Sequence, residues 1–583
     1  MNSNLQTTIA DVLVAIEPWG NELWFLAGIF LITLLSVLAF ANSINIRHLH
    51  SGRLSKIIST INTDNVFIGL CVFTVILLRL PGVSRLELAH GDEGGLIAGA
   101  LTLLQNPRFW LSVDNTTIGP VSTFSLTVIH LLGGTINYGT IKLLGIFVWI
   151  LSVVFMFRAF VNFYGSQVAR LAVLPVVACV ATFNYFDYVA FNGEHMPVLL
   201  LAASVWFFSK METQDGRQAM VYALLTGFVL GLLPYSKVQA APIAAAFGFM
   251  LVLLSLLAGN RKYIPLIVGG LMPTMLLGVY LVTSGAFEDF RQSYILNNLT
   301  YASEGFFGQT REITLLSNVA KFPAYLLKLT DTRYYFLAQF AVILAGTMLL
   351  VVKQRSLAKC DIRLVFLAWI VVIASIYSIL LPKNNWTHYL LLLIVPLTLL
   401  YGSILGSLQS MLYRDQQGES TMGCGSATVA ALLLITVLMP ASYVLLNKNI
   451  AFEKAEENSY EGKHYSDVAM EIFKYAKQGE RIAVWGFAYY YEETGMAQGT
   501  REAHTERQMT ANAQQAYYTD RWIRDLNSIR PPILLEALPD RRMNQRLEFR
   551  PEVKLHVDRA YRQVARVDYI KVYVLKERLA DLQ

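Results

Sequence analysis

Residues 79–120 read RLPGVSRLELAHGDEGGLIAGALTLLQNPRFWLSVDNTTIGP, and the rest of the chain is read outward from them. The stretch leaves an apolar segment, carries Asp92 and Glu93 side by side among glycines, continues amphipathically and reaches a further acid, Asp114. The surrounding chain is mostly apolar. A carboxylate that loses water at the mouth of a helical bundle costs several kcal/mol unless it is paired or has a task.

The chain has 583 residues, of which 55% are hydrophobic and 15% charged, and its mean hydropathy is +0.45. Soluble domains carry about 25% charged residues, so this composition suits lipid. The net charge of +6 does not point to nucleic acid; a membrane protein keeps such an excess in cytoplasmic loops. Cys71, Cys179 and Cys424 fall in or beside apolar segments and Cys360 in a basic loop, which predicts no disulfide and no thiolate metal site. Residues 1–21 are weakly amphipathic and expected at an interface. They include Asp11 and Glu17 and lack a basic start, so no cleaved signal peptide is expected.

Apolar runs predict spans at 23–41, 66–80, 138–158, 169–188, 195–209, 219–235, 239–258, 263–283, 334–352, 363–381, 389–408 and 426–446. That is about twelve crossings. The run 118–132 is short, opens at Gly119-Pro120 and ends at Gly133-Gly134, which predicts a re-entrant or interfacial helix. One set of loops holds Arg47, Arg53, Lys56, Arg158, Arg170, Lys210, Arg217, Arg261, Lys262, Lys353, Arg355, Lys359, Arg363 and Arg414. The other short loops hold little beyond Arg85, Arg108, Lys237 and Lys383. The first set is therefore expected in the cytoplasm. The outward loop 81–137, the loop 284–333 and the tail then lie on the other side.

The expected fold class is mainly α: a polytopic membrane domain over 1–446 and an extracytoplasmic α/β domain over 447–583. In the tail, HYSDVAMEIFKYAKQ places Val468, Ile472 and Tyr475 on one helical face. TDRWIRDLNSI is a second helix, stopped by Pro531-Pro532, and RIAVWGF, ILLEA and YIKVYVLK read as strands. The tail has no Gly-rich phosphate loop.

Polar groups recur at the outward ends of the predicted spans. Besides Asp92, Glu93 and Asp114 they are Glu194 and His195 in FNGEHMP, Lys237 in LPYSKVQAAP, and Lys383, His388 and Tyr389 in LPKNNWTHYLLLLIVP. Singly, each has a plain account: a solvated acid pair, a polar turn, a snorkelling lysine, an interfacial anchor. Together, acids and cations from four loops on one side suit the attack of an acceptor hydroxyl on a sugar carried by a polyprenyl phosphate. A carboxylate takes the hydroxyl proton, and cations neutralise charge on the departing phosphate.

These motifs resemble the GT-C glycosyltransferases, nearest the protein O-mannosyltransferase and lipid A aminoarabinose transferase branch, over residues 64–410. The resemblance lies in the outward acid pair after an early span, the Asp114–Pro120 run, the Ser-Lys at 236–237 and the Lys383-to-Leu run with His388-Tyr389. It implies that Asp92, with Glu93 beside it, is the catalytic loop acid. Asp114, Glu194 and His195 would position the acceptor or a divalent cation, and Lys237, Lys383, His388 and Tyr389 the donor phosphate. It also implies a glycan, lipid or protein acceptor and a place in a bacterial inner membrane. The chain departs from the family where related loops carry a lysine and this one reads Asp114-Asn115-Thr116-Thr117-Ile118, and in a first span that precedes the usual bundle. The alternative function is a transporter or flippase of a lipid-linked glycan. A non-catalytic envelope scaffold is a further rival, and it would not need the Asp92 carboxylate.

Overall fold

The computed structural model describes residues 20–43, 63–83, 91–304, 312–352, 359–415, 422–447, 466–538 and 540–582. Residues 1–19 of the expected interfacial segment and the loop cations Arg47, Arg53, Lys56, Lys353 and Arg355 lie outside these residues, as do Arg85 and the start of the HYSDVAMEIFKYAKQ helix; residues 20 and 21 already belong to the first helix.

Among the described residues, ten helices are long and apolar enough to cross a membrane, from Glu22–Ala41 to Thr428–Leu446. The two other expected crossings are also helical. The run 169–188 forms the shorter helix Ser166–Ala181 and then the single turn Phe186–Val189, while 195–209 lies in the helix His195–Thr213. The run 118–132 forms the helix Pro120–Leu131, which at about 18 Å is too short to span.

Local chemistry sets the boundaries. Asn137 and Thr140 form a reciprocal capping box at the start of Tyr138–Tyr164, and Gly285 closes Tyr263–Ser284 in the left-handed conformation. Helices Gly216–Ser236 and Tyr263–Ser284 cross closely because Gly227 and Gly269 lack side chains. A Cβ at either would meet the other helix's carbonyl oxygen, Leu266 or Leu224.

After the bundle the chain folds into an α/β domain. Its strands are β1 (Arg481–Gly486), β2 (Ala497–Gln498), β3 (Ile533–Ala537), β4 (Tyr561–Val567) and β5 (Ile570–Leu575), in the order β2-β1-β3-β5-β4. β1 runs parallel to β2 and β3, and β5 runs antiparallel to β3 and β4. β1, β3 and β5 are the strands expected from the sequence. They are buried almost throughout; the period-2 alternation that YIKVYVLK predicts is not matched by alternating burial, since β5 is covered on both faces and even Lys571 is buried. β4 is an edge strand with exposed Arg562 and Gln563, and its polar pattern concealed it. One face of the sheet packs with Val468 and Ile472 and also with Ala98 of the membrane domain. The other face is covered by Trp522 and Leu526 of Gln515–Ile529 and by Val553 and Val557 of Pro551–Ala560.

Candidate active site

The site lies at the bundle end that the α/β domain covers. Asp92 and Glu93 open the helix Gly91–Gln105, so the sequence between the glycines is helical rather than loop from Gly91 onward. Acids in a first turn favour the helix dipole. The next residues must be small because the α/β domain sits directly on this helix. A Cβ on Gly94 would lie 2.8 Å from the Ala488 carbonyl oxygen, and one on Gly95 would lie 2.6 Å from His504 Nε2. The Thr102 hydroxyl accepts from the Gln498 amide at 2.9 Å on the same seam.

The two neighbouring acids point to different tasks. Glu93 is fully buried, and its Oε1 accepts from the Phe191 amide at 2.8 Å. Buried Arg79 donates to the Tyr188 carbonyl at 3.2 Å. Together they pin the segment 186–194, which carries Asp187 and Glu194. The Asp92 side chain keeps 40% of its exposure and lies 3.8 Å from His388 Nε2.

His388 is the centre of the arrangement. Its Nδ1 lies 3.7 Å from Asp187 and its Nε2 4.0 Å from Glu194, as well as facing Asp92. Asp187 also accepts from the Thr387 hydroxyl. Glu194 is ion-paired with Lys237, both buried, and the Lys237 ammonium lies 5.0 Å from the centre of the Tyr389 ring. The Tyr389 hydroxyl meets the Tyr301 hydroxyl at 2.6 Å.

Lys237 owes its place to a break between two helices. It has extended backbone (φ −153, ψ 128) between Gly216–Ser236 and the turn Val238–Ala240. There it bridges Ile118 in antiparallel fashion, with the Gly119 amide donating to Ser236 at 2.9 Å and the Val238 amide to Thr117 at 3.2 Å. A side chain on Gly119 would strike the Tyr235 carbonyl. The Gly-Pro that opens the short helix thus also lets the strand-like contact form.

The structure therefore gathers Asp92, Glu194, Lys237, His388 and Tyr389, and places the other candidates elsewhere. Lys383 has a left-handed backbone (φ 62), and its ammonium donates to the Ser303 carbonyl at 2.9 Å at the rim. His195 is fully buried; its Nδ1 accepts from the Asn192 amide at 3.1 Å, and its ring stacks on Phe191 at 5.0 Å. Asp114 lies in the seam between the domains. It pairs with Arg521 and, at 3.0 Å, with Arg507. Glu502 pairs with Arg521 at 2.6 Å and Arg507 at 3.6 Å. Arg521 also donates to the Ser293 hydroxyl at 2.6 Å. Burial alone would raise the Asp114 pKa, but the Arg507 and Arg521 guanidiniums hold its carboxyl well below the usual carboxylate range.

Asp187 belongs to the site and was absent from the sequence reading, which ran a span through it. The available signal was an ionisable residue inside an apolar run. Glu506 of the α/β domain lies within electrostatic reach of Asp92. Burial pushes its carboxyl up to about 8; Arg542 opposes the rise and the negative charge of Asp92 adds to it. Among the described residues no group of three or more His, Cys, Asp or Glu side chains is arranged to hold a metal ion. Cys71 and Cys179 are free and buried.

No protein-family model and no curated protein matches the chain. Among solved structures the chain is similar to ArnT from Cupriavidus metallidurans in the apo state, with 14% identity, 89% of this chain and 99% of that chain covered, and a TM-score of 0.48. The same protein bound to undecaprenyl phosphate aligns at 12% identity, with 88% and 98% covered and a TM-score of 0.49. The Archaeoglobus fulgidus oligosaccharyltransferase in the apo form aligns at 12% identity, with 80% and 69% covered and a TM-score of 0.44.

Proposed function

We propose that the chain is a membrane glycosyltransferase that moves a sugar from a polyprenyl-phosphate donor to an acceptor hydroxyl. The observation that carries this reading is the imidazole of His388 ringed by Asp92, Asp187 and Glu194, with the Lys237 ammonium held against Glu194. Asp92 is the more open acid and acts as the general base: it takes the proton as the acceptor oxygen bonds to the anomeric carbon. The bond from that carbon to the phosphate oxygen breaks, and its electron pair leaves on the phosphate. His388 and Lys237 stabilise that charge. An ammonium has three donors, so Lys237 can serve Glu194 and the phosphate together. Asp187 faces Nδ1 at 3.7 Å by charge rather than by a hydrogen bond, and leaves Nε2 for the reacting groups. No step is assigned to a divalent ion, because Glu194 is committed to Lys237 and Asp187 to Thr387 and His388.

Sidedness follows from charge. Arg158 meets Asn65, Arg170 meets Asp64 and Lys262 meets Glu212 at the helix ends remote from the site. The positive-inside rule assigns that end to the cytoplasm, so the site and the α/β domain face outward, across a bacterial inner membrane. A transporter of the same lipid would carry its polar groups near the midplane, whereas these sit at helix ends.

The test is reconstitution of the purified chain in liposomes with polyprenyl-phosphate-linked sugars and hydroxyl acceptors. Release of polyprenyl phosphate, matched one for one by glycosylated acceptor, is the expected result. Movement of intact donor across the bilayer without cleavage would overturn the reading in favour of a flippase.

A further inference from the structure

The opposite end of the bundle holds a polar feature with no part in the transfer chemistry. Helices Tyr138–Tyr164 and His195–Thr213 begin beside the acidic site and run about 40 and 28 Å away from it. Their last turns wall a cavity of about 170 Å³, closed by helices Ala241–Leu257 and Lys359–Leu380. Its walls are chiefly apolar, with Phe163, Phe208 and Leu367 among them, but Ser255, Asn260, Glu212 and Arg363 also line it.

The polar groups are unevenly matched. Glu212 is paired with Lys262 at 3.4 Å, and Lys262 also donates to the Met211 carbonyl at 2.7 Å. The charge left over is that of Arg363, an exposed residue at the cavity mouth, which makes no ion pair or hydrogen bond among the described residues. Ser255 is 4% exposed, and its hydroxyl likewise makes no hydrogen bond among the described residues. That hydroxyl opens onto the cavity, which it lines together with the guanidinium of Arg363.

We propose that this cavity binds the phosphate head group of an anionic phospholipid, with Arg363 and Ser255 on the phosphate and an acyl chain along the apolar wall. Basic pockets between membrane helices suit such head groups. The volume is below the ~300–1,000 Å³ of pockets that enclose drug-sized ligands, so it admits a head group rather than a whole glycan. The source is a lipid rather than a free phosphate because Ile362 and Phe366, which flank Arg363 in sequence, are 45% and 54% exposed. They carry the apolar lipid-facing surface up to the cavity mouth.

The experiment uses the purified full chain in detergent, titrated with phosphatidylglycerol, phosphatidylcholine or inorganic phosphate. Native mass spectrometry reads retained lipid, and thermal unfolding reads stabilisation. Phosphatidylglycerol should be retained and should raise the unfolding temperature, with phosphatidylcholine at least tenfold weaker. Arg363→Gln should remove that preference, because a charge-assisted hydrogen bond is worth about a tenfold change in affinity or more. Leu254→Trp, at a partly buried wall position, fills the cavity without touching a charge and should also abolish retention while the lipid-free unfolding temperature stays near that of the parent. Equal binding of the two lipids, or full retention in both variants, overturns the proposal. Equal stabilisation by inorganic phosphate overturns the lipid as its source.

Discussion

Replacing Arg521 with Met should loosen the α/β domain from the bundle, and the effect follows from the charges in the seam. Asp114 and Glu502 face Arg507 and Arg521, all within 3.6 Å of a partner, so the cluster is neutral. Arg521→Met leaves two carboxylates against one guanidinium, a net charge of −1 where Asp114 is 2% and Glu502 1% exposed. The Ser293 contact and the stacking of Arg521 on Tyr518 at 4.8 Å are lost as well. Breaking a buried pair in this way costs about 3–5 kcal/mol, as much as several of the remaining seam hydrogen bonds contribute at about 1 kcal/mol each. Asp114→Asn alone leaves the opposite imbalance, +1. The double variant Asp114→Asn/Arg521→Met restores neutrality with Glu502 facing Arg507, so its destabilisation should be clearly less than the sum of the two single effects. Limited proteolysis of the α/β domain, together with unfolding in mild detergent, reads the cycle. Strict additivity, or wild-type protection in Arg521→Met, would refute the clasp.

Three further outcomes are expected. The folded Glu506 pKa is raised from the ordinary 4.5 to about 8, so the folded state holds a proton that the unfolded state releases; stability should fall as pH rises from about 4.5 to 8, and Glu506→Gln should flatten that slope in unfolding scans at pH 5, 6.5 and 8. Gly94→Ala should weaken docking more than Gly95→Ala, since the first Cβ meets a backbone carbonyl and the second only the tip of His504, as proteolysis rates will report. In intact cells, a cysteine introduced as Glu552→Cys with the native cysteines replaced should react with an impermeant thiol reagent; protection until lysis would reverse the assigned sidedness.

Much of this molecule was legible in its sequence because lipid imposes a strong pattern. Apolar runs long enough to span, and the buried strands β1, β3 and β5, announce themselves by composition. The break at Lys237 and the polar turn before His195 were also visible, since cations and acids interrupt otherwise apolar text. Asp187 was hidden because Ser166–Ala181 ends early and the aromatic residues that follow resemble more span. Roles were harder to read than positions. Asp92 and Glu93 are adjacent, yet the helix turns one toward His388 and buries the other under Phe191. Asp114 looked like part of the chemistry, but its partners Arg507 and Arg521 lie some 400 residues later, and no local spacing reveals such a pairing. The same distance conceals Glu506.

The central claim is that Asp92 removes the acceptor proton. Its most direct test is the single-turnover rate of Asp92→Asn with a polyprenyl-phosphate-linked sugar and an accepted hydroxyl substrate, measured beside the unaltered chain. The amide keeps the shape of the side chain and removes the base, and lost general-base catalysis costs roughly 10²–10⁴-fold. A fall of that size with unchanged unfolding behaviour is the predicted result. Turnover near that of the unaltered chain would contradict the account.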